Sequence, residues 1–179
     1  MREINVFRPF GPPMAAVLSL FVFLCAAARP AVADDGPTPE KAEKRVRTAL
    51  FVIAEGVYNS ELMAPYDVLQ HTVFRDEEDY IQTAVVSHDG EPVVTFEEIT
   101  VVPHYSFKDA PKADILVIPS TRGSMDRDLE DKAYMAWVAK AVAEAEWVIT
   151  VCDGAFPLAK TGALDGRVAT TFPGDRQRF

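Results

Sequence analysis

The sequence has few of the residues from which several common kinds of functional site are built. It contains two cysteines, three histidines and nine glycines in 179 residues. His71, His88 and His104 are not spaced with cysteines or carboxylates in the way that metal ligands are, so the sequence predicts neither a metal site nor a cofactor. Gly154 and Gly162 stand too far from other glycines to form a loop that cradles a phosphate.

The chain also lacks a cluster of basic residues. Its formal net charge is −9, and no basic stripe interrupts this acidity. Such a chain is poorly suited to a nucleic acid or to an anionic membrane surface. Half of the residues are hydrophobic and a quarter are charged, which is the composition of a globular protein. We therefore expect one folded domain whose partner is a small-molecule substrate.

The first 33 residues have the pattern of a signal peptide. Two arginines precede an apolar stretch from Met14 to Ala28, and Ala31-Val32-Ala33 supplies the small residues that a signal peptidase needs. We place the cleavage after Ala33 and predict a periplasmic or secreted protein. The apolar stretch is too short, and too soon followed by acidic residues, for a stable membrane anchor.

The remainder divides into a Pro-rich, charged lead-in (34–47) and a domain (48–179) in which strands and helices alternate. The predicted strands are 48–54, 80–87, 92–96, 98–102, 114–119, 147–151 and 168–172. The predicted helices are 59–71, 128–145 and 155–160. This alternation predicts an α/β fold with a mainly parallel sheet and right-handed crossovers. Ligands of such sheets bind beyond the carboxyl ends of the strands.

Cys152 lies at one of these carboxyl ends. The apolar run 147–151 predicts a buried strand, and a helix is predicted from Ala155, so the cysteine occupies a strand-to-helix corner. Gly154 would allow the close backbone approach that such a corner needs. This is the pattern of a nucleophile elbow with cysteine in the position of serine, and the helix N–H groups predict a lowered thiol pKa. The alternative is a structural cysteine that packs as a small hydrophobe.

A carboxyl group is predicted beside this thiol. The loop after the first strand brings Glu55 and Glu61 to the carboxyl end of the sheet, where Cys152 is also predicted to lie. A carboxyl that stays protonated in a dry site can donate a hydrogen bond to a thiolate and can move protons during turnover. The spacing alone does not choose between the two glutamates. Removal of Cys25 with the signal peptide would leave Cys152 as the only cysteine of the mature chain.

Several segments together resemble one protein family. They are Ala49–Gly56, Glu61–Leu69, Ala113–Pro119, Val151–Ala155 and Leu164–Thr171. The chain resembles the ThiJ/PfpI superfamily, which has a class I glutamine-amidotransferase-like fold and includes the Parkinson-disease deglycase/chaperone and the isonitrile hydratases. The resemblance implies a flavodoxin-like three-layer sandwich, and members often pair, which implies a homodimer.

The resemblance also implies roles for individual residues. It places the family's reactive cysteine on Cys152 and its partner glutamate on Glu61. It implies an oxyanion pocket made by backbone N–H groups at Asp153 and in the loop after Pro119, at Thr121. The chain has Phe172 and Asp153 at the two positions where different branches of the family carry a histidine, so no Cys-His-Glu triad is implied. Residues 174–179 resemble the start of a helix that the family continues, so we expect the C-terminal part of the domain to be missing.

Three functions remain open at this point. The first is an exported cysteine enzyme, of hydrolase or hydratase/lyase type, in which the Cys152 thiolate attacks a small electrophile and Glu61 shuttles protons. The second is a non-enzymatic redox-sensing or stress-response protein whose oxidised cysteine is held by Glu61 and the elbow N–H groups. The third is an inactive binding module of the same fold.

Overall fold

The computed structural model of the protein describes residues 44–179. The predicted signal peptide and residues 34–43 of the predicted lead-in lie outside the described residues. The first strand begins at Arg47, one residue before the predicted start of the domain.

Strands form a central sheet and a small separate ribbon. In chain order they are β1 (Arg47–Val52), β2 (Ile81–Ser87), β3 (Val93–Val94), β4 (Thr100–Val101), β5 (Tyr105–Ser106), β6 (Ile115–Ile118) and β7 (Trp147–Thr150). The five strands of the central sheet are parallel and have the order β5-β2-β1-β6-β7. The β3 and β4 strands lie within the predicted strands 92–96 and 98–102, and they pair antiparallel with each other.

Helices cover both faces of the sheet. They are α1 (Asn59–Gln70), α2 (Arg127–Glu130), α3 (Lys132–Glu144) and α4 (Ala155–Lys160). Alternate residues of β1 point to opposite faces, as the pleat of a strand requires. Phe51 joins the core cluster that includes Leu62 of α1, whereas Leu50 joins the cluster that includes Val138 of α3 and Leu158 of α4. The result is a three-layer sandwich with a parallel sheet, so the predicted flavodoxin-like α/β fold is confirmed.

Two predicted elements differ from the structure. The helix predicted over 128–145 is divided into α2 and α3, because Asp131 adopts an extended conformation and its carboxylate accepts hydrogen bonds from Ala133 N and Tyr134 N, which starts a new helix. No strand forms in 168–172, where the side chain of Val168 is fully exposed.

The prediction that 147–151 is a buried strand was also wrong in part. The strand forms, but β7 lies at the edge of the sheet, and 61 % of Trp147 is exposed. An apolar run predicts that both faces are covered, and it carries no information on the order of the strands in the sheet.

The carboxyl ends of three strands are tied together by backbone hydrogen bonds. Val57, after β1, forms an isolated antiparallel bridge with Thr121, after β6. The neighbouring Tyr58 N donates to Ser120 O at 3.2 Å, and Val151 N, after β7, donates to Ile118 O at 3.1 Å. These bonds hold the loops after β1, β6 and β7 against one another at the carboxyl end of the sheet.

Candidate active site

Cys152 occupies a sharp turn between β7 and α4, which we call the elbow (Cys152–Gly154). Val151 is still extended, Cys152 has a φ of +54°, and a single 3₁₀ turn then leads into α4. A non-glycine residue in the left-handed region costs about 1–3 kcal/mol and persists where surrounding structure fixes it, which is common at functional sites. The backbone therefore has the conformation predicted for a nucleophile elbow.

Gly154 is required at the elbow for space. Its own φ of −57° is helical, so no unusual conformation demands a glycine here. A Cβ atom at this position would overlap the carbonyl oxygen of Ile118 in β6. The prediction that Gly154 permits a close backbone approach is confirmed, and the contact places the elbow directly on the end of β6.

The structure brings Glu61 to the elbow, and it places Glu55 elsewhere. Glu61 lies in the first turn of α1, is partly buried, and its Oε2 accepts a 2.8 Å hydrogen bond from Ser120 N. Its carboxyl group is also close enough to the Cys152 thiol for its charge to raise the pKa of that thiol. Glu55 is exposed and its carboxylate accepts from Val94 N at 3.2 Å. Of the two glutamates left open by spacing, Glu61 is therefore the one beside the thiol.

Both members of this pair hold their protons more tightly than usual. Burial raises the pKa of Glu61, and the Ser120 N–H opposes this shift only in part. Burial also raises the pKa of Cys152, and the charge of Glu61 adds to it, giving a value of about 11. The expectation of a lowered thiol pKa was wrong, because the hydrogen bond from the elbow is outweighed by desolvation and by a neighbouring carboxylate.

The two groups predicted to bind an oxyanion differ in their present bonding. The N–H of Asp153 lies close enough to the Cys152 sulfur to lower the pKa of the thiol. The N–H of Thr121 donates to Ser124 Oγ at 2.8 Å, so it can reach an oxyanion only if that bond opens. The N–H of Ser120, the residue before Thr121, donates to Glu61.

Two further residues of the site were not predicted from the sequence. The buried hydroxyl of Thr171 donates to Asp153 Oδ1 at 2.8 Å and lies 3.2 Å from the carbonyl oxygen of Cys152. Tyr58 stands next to the pair, and burial followed by the charge of Glu61 raises the pKa of its phenol. Thr171 lies in a segment that we predicted to be a strand, and no local pattern marks either residue as part of the site.

A small cleft opens at the thiol. It has a volume of about 270 Å³ and is lined by Thr150, Cys152, Thr170, Thr171, Phe172 and Pro173. This volume is slightly below the range of about 300–1,000 Å³ that is usual for small-molecule sites. Phe172 is half exposed at the wall of the cleft, in the place where part of the resembled family has a histidine.

The histidines are engaged away from the elbow. His104 Nδ1 accepts a hydrogen bond from Val85 N at 3.0 Å, His71 lies 3.4 Å from Asp67, and the ring of His88 packs edge-on against Phe107. Among residues 44–179, no group of three or more His, Cys, Asp or Glu side chains is placed to hold a metal ion. The candidate chemistry of the described site therefore rests on Cys152 and Glu61.

No helix within the described part of the chain has both the length and the apolarity to cross a membrane.

Comparison with curated proteins finds a relative with a known reaction. The isonitrile hydratase of Pseudomonas putida is 29 % identical over 121 residues, which cover 68 % of this chain and 50 % of the relative. The chain thus spans about half the length of the curated relative that it matches.

Comparison with solved structures gives the same fold at lower identity. A THiJ/PfpI family protein from Pseudomonas syringae superposes with a TM-score of 0.57 at 23 % identity, over 80 % of this chain and 56 % of that one. Drosophila melanogaster DJ-1beta superposes with a TM-score of 0.59 at 21 % identity, over 74 % and 69 %. At these identities the likeness concerns the fold.

The model of one family matches nearly the whole described domain. It is that of the DJ-1/PfpI family, and it matches residues 47–179, which contain both the sheet and the elbow. The chain belongs to the DJ-1/PfpI family.

Proposed function

We propose that this protein is an exported cysteine enzyme of hydratase or hydrolase type that adds a nucleophile to a small electrophile. The observation that carries the proposal is the pairing of Cys152, in a left-handed elbow, with the carboxyl group of Glu61. A group that accepts the thiol proton as attack begins makes thiol chemistry feasible without a free thiolate in the resting enzyme. The signal-peptide pattern of residues 1–33 supports export.

An isonitrile illustrates how protons move between these residues. The sulfur of Cys152 bonds to the terminal carbon while Glu61 takes the thiol proton and returns it to the same carbon, giving a thioimidate. Water then adds to the C=N bond. The C–S bond breaks, the electron pair returns to sulfur, and Glu61 carries the hydroxyl proton to the thiolate as an N-substituted formamide leaves. Overall one water is consumed, and Glu61 ends each cycle as it began.

Negative charge that develops during addition is met by donors of the elbow. The N–H of Asp153 is already beside the sulfur, and Thr121 supplies a second N–H if its bond to Ser124 opens. Preorganised donors of this kind are worth several kcal/mol in a transition state. The isonitrile hydratase relative supports this reaction class, and aldehydes and amides are the other electrophiles to test.

The raised pKa of Cys152 argues against the redox-sensing alternative. Oxidation to sulfenic or sulfinic acid proceeds through the thiolate, and a thiol with a pKa of about 11 presents little of it at neutral pH. Proton transfer to Glu61 during attack avoids this limit, because it couples deprotonation to bond formation.

The test is turnover by the full chain on a panel of alkyl isonitriles, aldehydes and amides, with formamide or acid formation followed by chromatography. We expect Cys152→Ser to abolish turnover and Glu61→Gln to reduce it by about 10²–10⁴-fold, the usual contribution of general acid–base catalysis. Glu55→Gln is the matched control, since Glu55 follows the same strand but is exposed and remote from the thiol. Equal loss in Glu55→Gln and Glu61→Gln, or turnover that persists in Cys152→Ser, would contradict the proposal.

A further inference from the structure

An exposed arginine, Arg122, lies in the loop after β6, at the carboxyl end of the sheet. None of the ion pairs formed within residues 44–179 includes this side chain. A guanidinium presents five N–H donors in a planar fork that matches the two oxygens of a carboxylate. The charge of Arg122 is therefore available to an anionic group that enters from solution.

The backbone of Arg122 belongs to the loop that also holds the reacting pair. Arg122 N donates to Gly56 O at 2.9 Å, which ties the residue to the segment after β1. Two residues earlier in the same loop, Ser120 N donates to Glu61 at 2.8 Å. One short stretch of chain therefore carries both the arginine and the N–H group that holds the Glu61 carboxyl.

An aromatic ring positions the guanidinium. The Cζ atom of Arg122 lies 6.0 Å from the ring centroid of Phe96, and that ring packs against Tyr58 with a centroid distance of 4.9 Å. Phe96 N donates to Val57 O at 3.0 Å, so the ring is fixed to the same segment after β1. A cation is attracted to the face of an aromatic ring, and a side chain that is already positioned loses less freedom when it binds a ligand.

Tyr58 links this arginine to the thiol. Its phenol is close enough to both Cys152 and Arg122 for their charges to act on its pKa, which the thiolate raises and the guanidinium lowers. Arg122 and Cys152 are therefore both neighbours of one tyrosine side chain. A small molecule that reaches the sulfur can place its other end near the guanidinium.

The carboxylates around the reacting pair would repel an anionic molecule. The charges of Asp153 and Glu97 both raise the pKa of Glu61, and the charge of Asp153 also raises the pKa of Cys152. A substrate with a negative charge would meet repulsion from these groups unless a cation offset it. Arg122 is placed to provide that cation.

We propose that Arg122 is a specificity-determining residue that binds a carboxylate group of the substrate, so that the electrophile attacked by Cys152 is carried on a small carboxylic acid. The inference rests on the proposed function, because it names the substrate class of the same site. Two N–H groups of the guanidinium donate to the two carboxylate oxygens, and the ring of Phe96 supports the guanidinium from one face. The carboxylate takes no part in the reaction and holds the other end of the molecule.

The first experiment compares two alkylating agents of nearly equal size, the anion iodoacetate and the neutral iodoacetamide. It uses the full chain with Cys25→Ser, which leaves Cys152 as the only thiol. Both agents react with the same thiolate, so a change in the thiol pKa cancels in the ratio of their rates. We expect Arg122→Gln to lower the iodoacetate/iodoacetamide ratio about fivefold at low ionic strength, the upper range for an exposed ion pair, and added salt to lower the ratio of the parent.

The second experiment measures turnover of an isonitrile with a carboxylate, 3-isocyanopropanoate, against the neutral 1-isocyanobutane of similar length. The parent should prefer the acid. We expect Arg122→Gln to lower the ratio of the two kcat/KM values about fivefold, mainly through KM, because the carboxylate makes the same contact in the ground state and in the transition state.

Two further variants serve as controls for both experiments. Arg75→Gln removes one positive charge from the exposed loop before β2, at the opposite end of the sheet, and should leave both ratios unchanged. Phe96→Leu keeps the charge of Arg122 and removes the ring beneath it, so its ratios should lie between those of the parent and those of Arg122→Gln.

The outcomes separate this inference from the proposed function. An unchanged alkylation ratio in Arg122→Gln, or an equal fall in Arg75→Gln, would overturn the role of Arg122. Turnover of both isonitriles without preference for the acid would also overturn it and would leave the proposed function standing. The expected alkylation ratios without any turnover would support anion binding by Arg122 and would count against the proposed function.

Discussion

Replacing Glu61 by glutamine should make Cys152 more reactive toward an alkylating agent, although we expect the same change to impair catalysis. The charge of Glu61 is the second-largest cause of the raised pKa of Cys152, after burial. Glutamine removes this charge and keeps the size of the side chain. The thiolate of the variant therefore forms at lower pH, while the group that moves protons in the proposed reaction is lost.

The size of the effect follows from the exposure of the pair. Two unit charges 4 Å apart interact by ~1 kcal/mol in water and by ~4 kcal/mol near a protein surface. Since Cys152 is only partly buried, we take an interaction energy near the lower of these two limits. A difference of ~1.4 kcal/mol corresponds to one pKa unit. The pKa should fall by about one unit. Because a less basic thiolate is also less nucleophilic, alkylation at pH 7–8 should accelerate about threefold and not tenfold.

The assay is iodoacetamide alkylation followed by peptide mass spectrometry from pH 6 to pH 11. The Cys25→Ser background leaves Cys152 as the only thiol of the full chain. For the parent protein the rate should rise tenfold per pH unit and level off only near pH 11. Glu55→Gln should behave as the parent. A parent pKa at or below 8.5, or slower alkylation of Glu61→Gln, would refute the assignment of proton sharing between Cys152 and Glu61.

Three substitutions test the framework of the site, and chemical denaturation monitored by circular dichroism measures each. Gly154→Ala should destabilise the protein by about 3 kcal/mol, because the new methyl overlaps the carbonyl of Ile118, and unchanged stability would contradict that contact. Thr171→Val should cost about 1 kcal/mol by removing the hydrogen bond to Asp153, whereas Thr171→Ser should restore most of it; equal losses would show that the methyl group matters instead. Asp131→Ala should cost about 1 kcal/mol through loss of the cap of α3, and Asp131→Asn, which keeps a capping oxygen, should cost less.

The elements that could be predicted from the sequence are those with a strong local signal. The strands β1, β2 and β6 are apolar runs, and each lies inside the sheet with neighbours on both sides. The β7 strand carries the same signal and forms, but it lies at the edge of the sheet, and none of its four residues is buried. The pattern of apolar residues indicates how apolar a segment is, but it does not indicate which strands lie beside that segment in the sheet.

The candidate site shows the same division between local and long-range information. The corner at Cys152 and the need for Gly154 follow from adjacent residues, and both were predicted. The bond between Thr171 and Asp153 joins residues 18 positions apart, and Thr171 itself lies outside any regular element, so no local pattern marks the bond. The direction of the thiol pKa was missed for a related reason. It depends on burial and on Glu61, which is 91 positions away, whereas the elbow N–H is a neighbour in sequence.

The position of the proton limits which reactions suit this site. An elbow N–H alone would favour a free thiolate, but here burial and Glu61 keep the thiol protonated at neutral pH. Such a resting state is poor for reactions whose rate depends on the amount of thiolate, such as oxidation or simple alkylation. It is well suited to additions in which the attacked carbon itself must receive a proton, because the thiol supplies that proton and Glu61 carries it across. Among the electrophiles considered, an isonitrile has this requirement at the carbon that sulfur attacks, whereas an amide carbonyl takes its proton at oxygen or nitrogen. Under the proposed function, the pairing of Cys152 with Glu61 therefore suits hydration of an isonitrile better than hydrolysis of an amide.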